Sequence, residues 1–214
     1  IPISIGLFLL FLLMVPLLML LVPAVAFSKL GLNPWCGYMY FLACLFTSGI
    51  NIPVYRRQLI TDIEYDEISA LFYRFFGIRP PYVAEETVAV NLGGAVLPCL
   101  LSLYLLFSVP QDLAIAGTLM VSLGAYILSR PVRGIGIVMP AFVPPLLSAI
   151  VGLMLSRQYA PQIAFVSGTL GTLIGADLLR LRQFRNLGAP FLSIGGAGVF
   201  DGIYLVGLVS VLLA

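Results

Sequence analysis

Apolar residues run along this chain in long blocks separated by short polar joints. The blocks lie at roughly 3–27, 35–53, 87–108, 113–129, 135–156, 162–179 and 189–213. Each approaches the ~20 residues that carry a helix across a bilayer. The pattern predicts an all-α fold, a polytopic membrane helix bundle of about seven transmembrane helices, forming a single integral membrane domain over residues 1–214. The first block is too long for the core of a signal peptide and reads as a span. The chain opens on Ile1 rather than Met, which suggests a native start upstream. Pro16, Pro23, Pro98, Pro140, Pro144 and Pro145 fall inside blocks and predict kinked helices whose freed backbone groups are satisfied by neighbours.

The joint between the second and third blocks has a pattern of its own. Thr61-Asp62-Ile63-Glu64 fits a capping box. Ile68, Leu71, Phe72, Phe75 and Phe76 then recur at helical spacing, and Gly77 can end the run. Asp62, Glu64, Asp66 and Glu67 crowd the early turns, where the helix dipole favours anions. An amphipathic interfacial helix over about 61–77 is expected, either resting on the membrane surface or covering a site.

Composition strengthens the membrane reading. The chain is 61% hydrophobic and 9% charged, against roughly 25% charged residues in a soluble domain. A net charge of +2 gives no basis for nucleic-acid binding. Histidine is absent, which removes a Ser-His-Asp triad and histidine-bound zinc or haem. Cys36, Cys44 and Cys99 lack metal spacing. No metal and no cofactor is expected. Among the joints, Lys29 and Arg157 fall in one alternating set, and Arg56, Arg57, Arg74, Arg79, Arg130, Arg133, Arg180, Arg182 and Arg185 in the other. The positive-inside rule makes the second set cytoplasmic. The expected topology has the N-terminus outside and loops 54–86, 130–134 and 180–188 in the cytoplasm.

Two carboxylates stand out within the apolar blocks. Asp177 lies near the end of the sixth and Asp201 inside the seventh, each beside glycines. Ionisable groups at membrane depth are costly, so a functional role is their default reading. Asn91, Ser193, Gly195, Gly196 and Gly198 are their expected companions in one cytoplasm-side cavity. Three glycines within Gly195-Gly196-Ala197-Gly198 weaken a helix, so the last helix is expected to be broken or re-entrant there and to restart near Asp201. Asp177 has a plainer alternative, an ion pair with Arg180 or Arg182. Asp201 can instead cap the restarted helix, and Asn91 can serve as an interhelical hydrogen bond. Gly168, Gly171 and Gly175 form a stripe expected to let helices pack closely.

Through NLGGAVLP (91–98), GTLIGADLL (171–179) and SIGGAGVFDGIYL (193–205), the chain resembles an uncharacterised prokaryotic family of polytopic membrane proteins, a domain of unknown function. That resemblance implies a membrane fold and no activity. A looser one is to the GxGD-type intramembrane aspartyl proteases, carried by Asp177 and Asp201 on consecutive segments, the second after a glycine motif. Here two extra residues separate Gly198 from Asp201, Asp177 follows Gly175-Ala176 rather than a tyrosine, and no Pro-Ala-Leu motif follows.

Three functions fit these features. One is aspartyl hydrolysis by Asp177 and Asp201 on a peptide substrate. A second is an accessory or assembly subunit, with protein partners in the lipid bilayer. The third is an ion- or proton-coupled transporter, with the carboxylates and the broken helix as its site.

Overall fold

The computed structural model describes residues 14, 21–59, 84–132, 136–181, 191–196 and 202–214. The expected interfacial helix 61–77, most of the first apolar block, Gly198 and Asp201 lie outside the described residues.

Helix starts follow the prolines. Helix α1 includes residues 21–29, and α2, Pro34–Thr47, begins on a proline behind the N-cap Asn33, whose side chain accepts from the Trp35 N–H. Proline likewise sits in the first turn of α3 (Leu97–Leu106), α5 (Val143–Leu155) and α6 (Ala160–Thr172). In α2, α5 and α6 its missing N–H has no helical partner in the first turn anyway, so there it starts a helix without kinking one, whereas Pro98 follows directly on a π-helical turn. Helix α4 spans Gln111–Leu128 and α7 spans Gly202–Leu213.

Helix α6 is the axis of the bundle. Every residue from Ile163 to Thr169 is buried, as befits a helix enclosed on all sides. It packs against α3, α4, α5 and α7, and glycines bring these helices close. A Cβ at Gly168 would meet Ser148, one at Gly171 would meet Val121, and one at Gly207 would meet Thr169 and Phe165. The stripe is thus a packing surface.

The remaining elements are strands. β1 (Asn51–Leu59), β2 (Ala84–Asn91) and β5 (Phe191–Ile194) form a sheet in the order β1-β2-β5. β1 runs antiparallel to β2 from Asn51 opposite Asn91 to Leu59 opposite Ala84, with an irregularity between Pro53 and Tyr55. β5 runs parallel to β2, with Ser193 opposite Ala89 and Ile194 opposite Val90. A hairpin of β3 (Arg130–Val132) and β4 (Gly136–Val138) joins α4 to α5.

The all-α bundle of about seven transmembrane helices is therefore corrected. The protein is mostly helical but carries a three-stranded sheet, and among the described residues one helix, α4, is long and apolar enough to cross a membrane. The second block divides into α2 and β1, and the fifth into β4 and α5. The third divides into β2, a π-helical turn Leu92–Val96 and α3. The seventh enters as β5 instead of as a broken helix. Hydropathy marks how far an apolar run extends but not whether its backbone is helix or strand.

The expected topology needs a further correction by counting. Two crossings would separate the N-terminus from loop 54–86, putting both on one side, so cytoplasmic basic loops would not leave the N-terminus outside.

Candidate functional site

The sheet register sets Asn51 opposite Asn91 at one end of β1 and β2. Asn91 is 2% exposed and fully engaged. As N-cap of the π-helical turn, its Oδ1 accepts from the Gly94 N–H at 2.8 Å. Its Nδ2 donates to the Ser48 carbonyl at 2.6 Å and to Asn51 Oδ1 at 3.1 Å. Ser193 Oγ, on β5, donates to the same Asn51 oxygen at 2.5 Å. One asparagine pair thus ties together the end of α2, the sheet and the π-helical turn. The plainer expectation for Asn91 is an interhelical bond; its partners are the end of α2, the neighbouring strand and the π-helical turn that it caps.

Asp177 approaches from the other side. Helix α6 continues into a second π-helical turn, Leu173–Leu178, which carries it. Its Oδ2 accepts from the Gly195 N–H at 2.9 Å. Gly195 has a φ of +75°, a conformation that suits glycine, and a Cβ there would run into Ala95. The Gly196 N–H donates back to the Ser193 carbonyl at 3.3 Å and closes the turn. The glycine after β5 therefore lets the backbone bend so that an N–H faces the carboxylate.

The alternative pairing of Asp177 with Arg180 is not what the side chains form. Arg180 Nε donates to Ser129 Oγ at 2.7 Å and Nη2 donates to the Tyr126 carbonyl at 2.5 Å, with the guanidinium 4.5 Å from the Tyr126 ring centroid. These contacts fasten the end of the π-helical turn to the C-terminus of α4. Arg182 lies outside the described residues.

Asn51, Asn91, Asp177, Ser193, Gly195 and Gly196 line one cleft of about 1210 Å³. Its other wall is apolar, from Phe142, Pro144 and Pro145 on one side and Ile203, Leu205 and Val206 on the other. Of the residues singled out by sequence, the fold gathers Asp177, Asn91, Ser193, Gly195 and Gly196. Gly198 and Asp201 lie outside the described residues. Asn51 was missed, because it stands at the end of an apolar block and reads as the exit of a span. Among the described residues no group of three or more His, Cys, Asp and Glu side chains is placed to hold a metal. The cleft offers a carboxylate, the Asn51 amide and a hydroxyl, a set that can bind and polarise a polar group between apolar walls.

The class so defined is a mainly helical protein with a small mixed sheet, whose edge and a π-helical turn frame a polar cleft. The chain belongs to the family described as "Protein of unknown function (DUF1614)", which matches residues 45–213. No curated protein and no solved structure matches it. Membership accords with the resemblance to an uncharacterised family; prokaryotic origin and likeness to the GxGD-type proteases are no part of it.

Proposed function

We propose that the chain is a membrane-integral aspartyl hydrolase, with Asp177 and Asp201 as its two acids and a peptide as its substrate. The observation that carries this reading is the hydrogen bond from the Gly195 N–H to Asp177. It ties the carboxylate to the glycine run that leads, six residues on, to Asp201. Two carboxylates that share a site also share a proton, because ionising both is unfavourable. The ionised acid takes a proton from water as the water oxygen bonds to the amide carbon. The protonated acid donates to the carbonyl oxygen, and collapse of the adduct returns a proton to the departing nitrogen. The apolar wall would hold side chains while glycines admit backbone.

The membrane assignment draws on the outer surface. Phe107 and Trp35 are 80% and 74% exposed. Leu119, Leu123 and Ile127 are exposed along α4 as well. So much exposed aromatic and aliphatic surface is unfavourable in water and suits lipid. The full chain is expected to stay with floated membranes after alkaline carbonate extraction; release into the supernatant would refute the assignment.

The catalytic assignment is tested with a statine-containing peptide, whose hydroxyl mimics the tetrahedral adduct, bearing a benzophenone and offered to the purified chain in detergent. Light should crosslink it to the wild type and not to Asp177→Asn or Asp201→Asn. Asparagine at 177 keeps an oxygen for the Gly195 N–H, so the melting temperature should hold. A wild type that captures no probe, or an Asp177→Asn variant that captures as much, refutes the hydrolase and leaves the accessory-subunit and transporter readings.

A further inference from the structure

The hydrogen bonds around Asn51 fix which way its amide faces. Asn91 must present its oxygen to Gly94, since a backbone N–H needs an acceptor, and its nitrogen to the Ser48 carbonyl, which needs a donor. The atom of Asn51 that meets Asn91 Nδ2 is therefore an oxygen, because two amide nitrogens would otherwise meet. Ser193 Oγ donates to that same oxygen. With Oδ1 held from two sides, the Nδ2 of Asn51 is turned away from both partners. Among the described residues it has no hydrogen-bond partner, and Asn51 is half-buried on the wall of the cleft.

We infer that Asn51 is a substrate-binding residue, its amide Nδ2 donating to a main-chain carbonyl of an extended peptide in the cleft. The inference rests on the hydrolase reading and names the substrate contact that reading lacks. A donor held in a largely apolar cleft binds a carbonyl well, because its own orientation has already been fixed. Asn51 and Asp177 are bonded to Ser193 and Gly195, two residues apart on one segment. The backbone turns between them, with the Gly196 N–H closing on the Ser193 carbonyl, so the Asn51 donor and the Asp177 carboxylate are held by the two sides of one turn. A peptide lying in the cleft would meet both the Asn51 donor and the Asp177 carboxylate.

Asn51→Asp separates binding from architecture. An aspartate keeps the oxygen that accepts from Asn91 and Ser193 but replaces the Nδ2 donor with an acceptor. The readout is the affinity of a fluorescent statine peptide for the full chain in detergent, beside analogues in which each amide in turn becomes an (E)-alkene. On wild-type protein, one alkene analogue should bind about three- to tenfold more weakly, the worth of one hydrogen bond. Asn51→Asp should bind the all-amide probe more weakly by a similar factor, with no further loss for that one analogue and with an unchanged melting temperature. Loss by the same factor for every analogue, or Asn51→Asp binding like wild type, overturns the inference. Should Asn51→Asp fold poorly, a flat alkene scan on wild-type protein overturns it alone. Asp177→Asn should lose affinity for every analogue, so failure of the hydrolase reading shows at position 177 and failure of this inference at position 51. A wild type that binds no probe refutes both.

Discussion

At the scale of single residues, Asn91 holds more of the site together than any acid. Its side chain makes three hydrogen bonds at a buried point where two strands, a helix end and a π-helical turn meet. Asn91→Leu keeps the volume but strands the Gly94 N–H and the Ser48 carbonyl. Buried polar groups without partners cost about 1–3 kcal/mol each, so the variant should lose on the order of 2–5 kcal/mol in denaturant unfolding. A change below about 1 kcal/mol would mean that neither group depends on Asn91. Gly93 is constrained in a different way. A Cβ there would strike the Cys44 carbonyl and the Ser48 N–H, so Gly93→Ala should lower the melting temperature while Gly49→Ala, where a Cβ meets nothing, should be tolerated.

At the scale of elements, the latch between α6 and α4 is the clearest dependency. Arg180 uses two nitrogens and its planar face on Ser129 and Tyr126. Lysine supplies charge without that fork or that face. Arg180→Lys should therefore destabilise nearly as much as Arg180→Met; rescue by lysine would mean that charge alone is needed. This scale also shows what could be read from the chain in advance. The extent of each apolar run was legible, as was the packing stripe of Gly168, Gly171 and Gly175, because glycine spacing on a helix reports a close neighbour directly. The strands were not. Thr87 to Val90 and Phe191 to Ile194 fall inside apolar blocks, so hydropathy reads the same for a buried strand as for a helix. The convergence of Asn91, Ser193 and Asp177 was legible as a list of polar residues near glycines. The part of Asn51 was not, since it depends on a register that only the folded sheet defines.

At the scale of the whole molecule, the arginines are shared unequally between the two ends of the bundle. Lys29 Nζ donates to the carbonyls of Val211 and Leu212 at the finish of α7, and Gln162 reaches Leu30 at the start of α6, next to the joint that holds Arg157. The opposite end carries the sheet, the cleft, Arg56, Arg130 and Arg180. If the protein is membrane-integral as proposed, the end with more arginines should face the cytoplasm. With the native cysteines replaced, Arg157→Cys should react with an impermeant maleimide on intact cells, and Arg130→Cys only after permeabilisation. The reverse result would invert the orientation, and equal labelling would refute a two-ended arrangement. Between the ends runs α6, and its last turn is π-helical. Such a turn holds one residue more than an α-turn, and in an α-helix each residue advances the chain by about 100° about the axis. The bearing of Asp177 is therefore set by a count. Wound as α-helix with no residue lost, the segment would swing the side chains beyond the turn about a quarter of the way round the axis, whereas deleting Ile174 alone should close the turn as α-helix and leave Arg180 on its present bearing, with its latch to α4 intact.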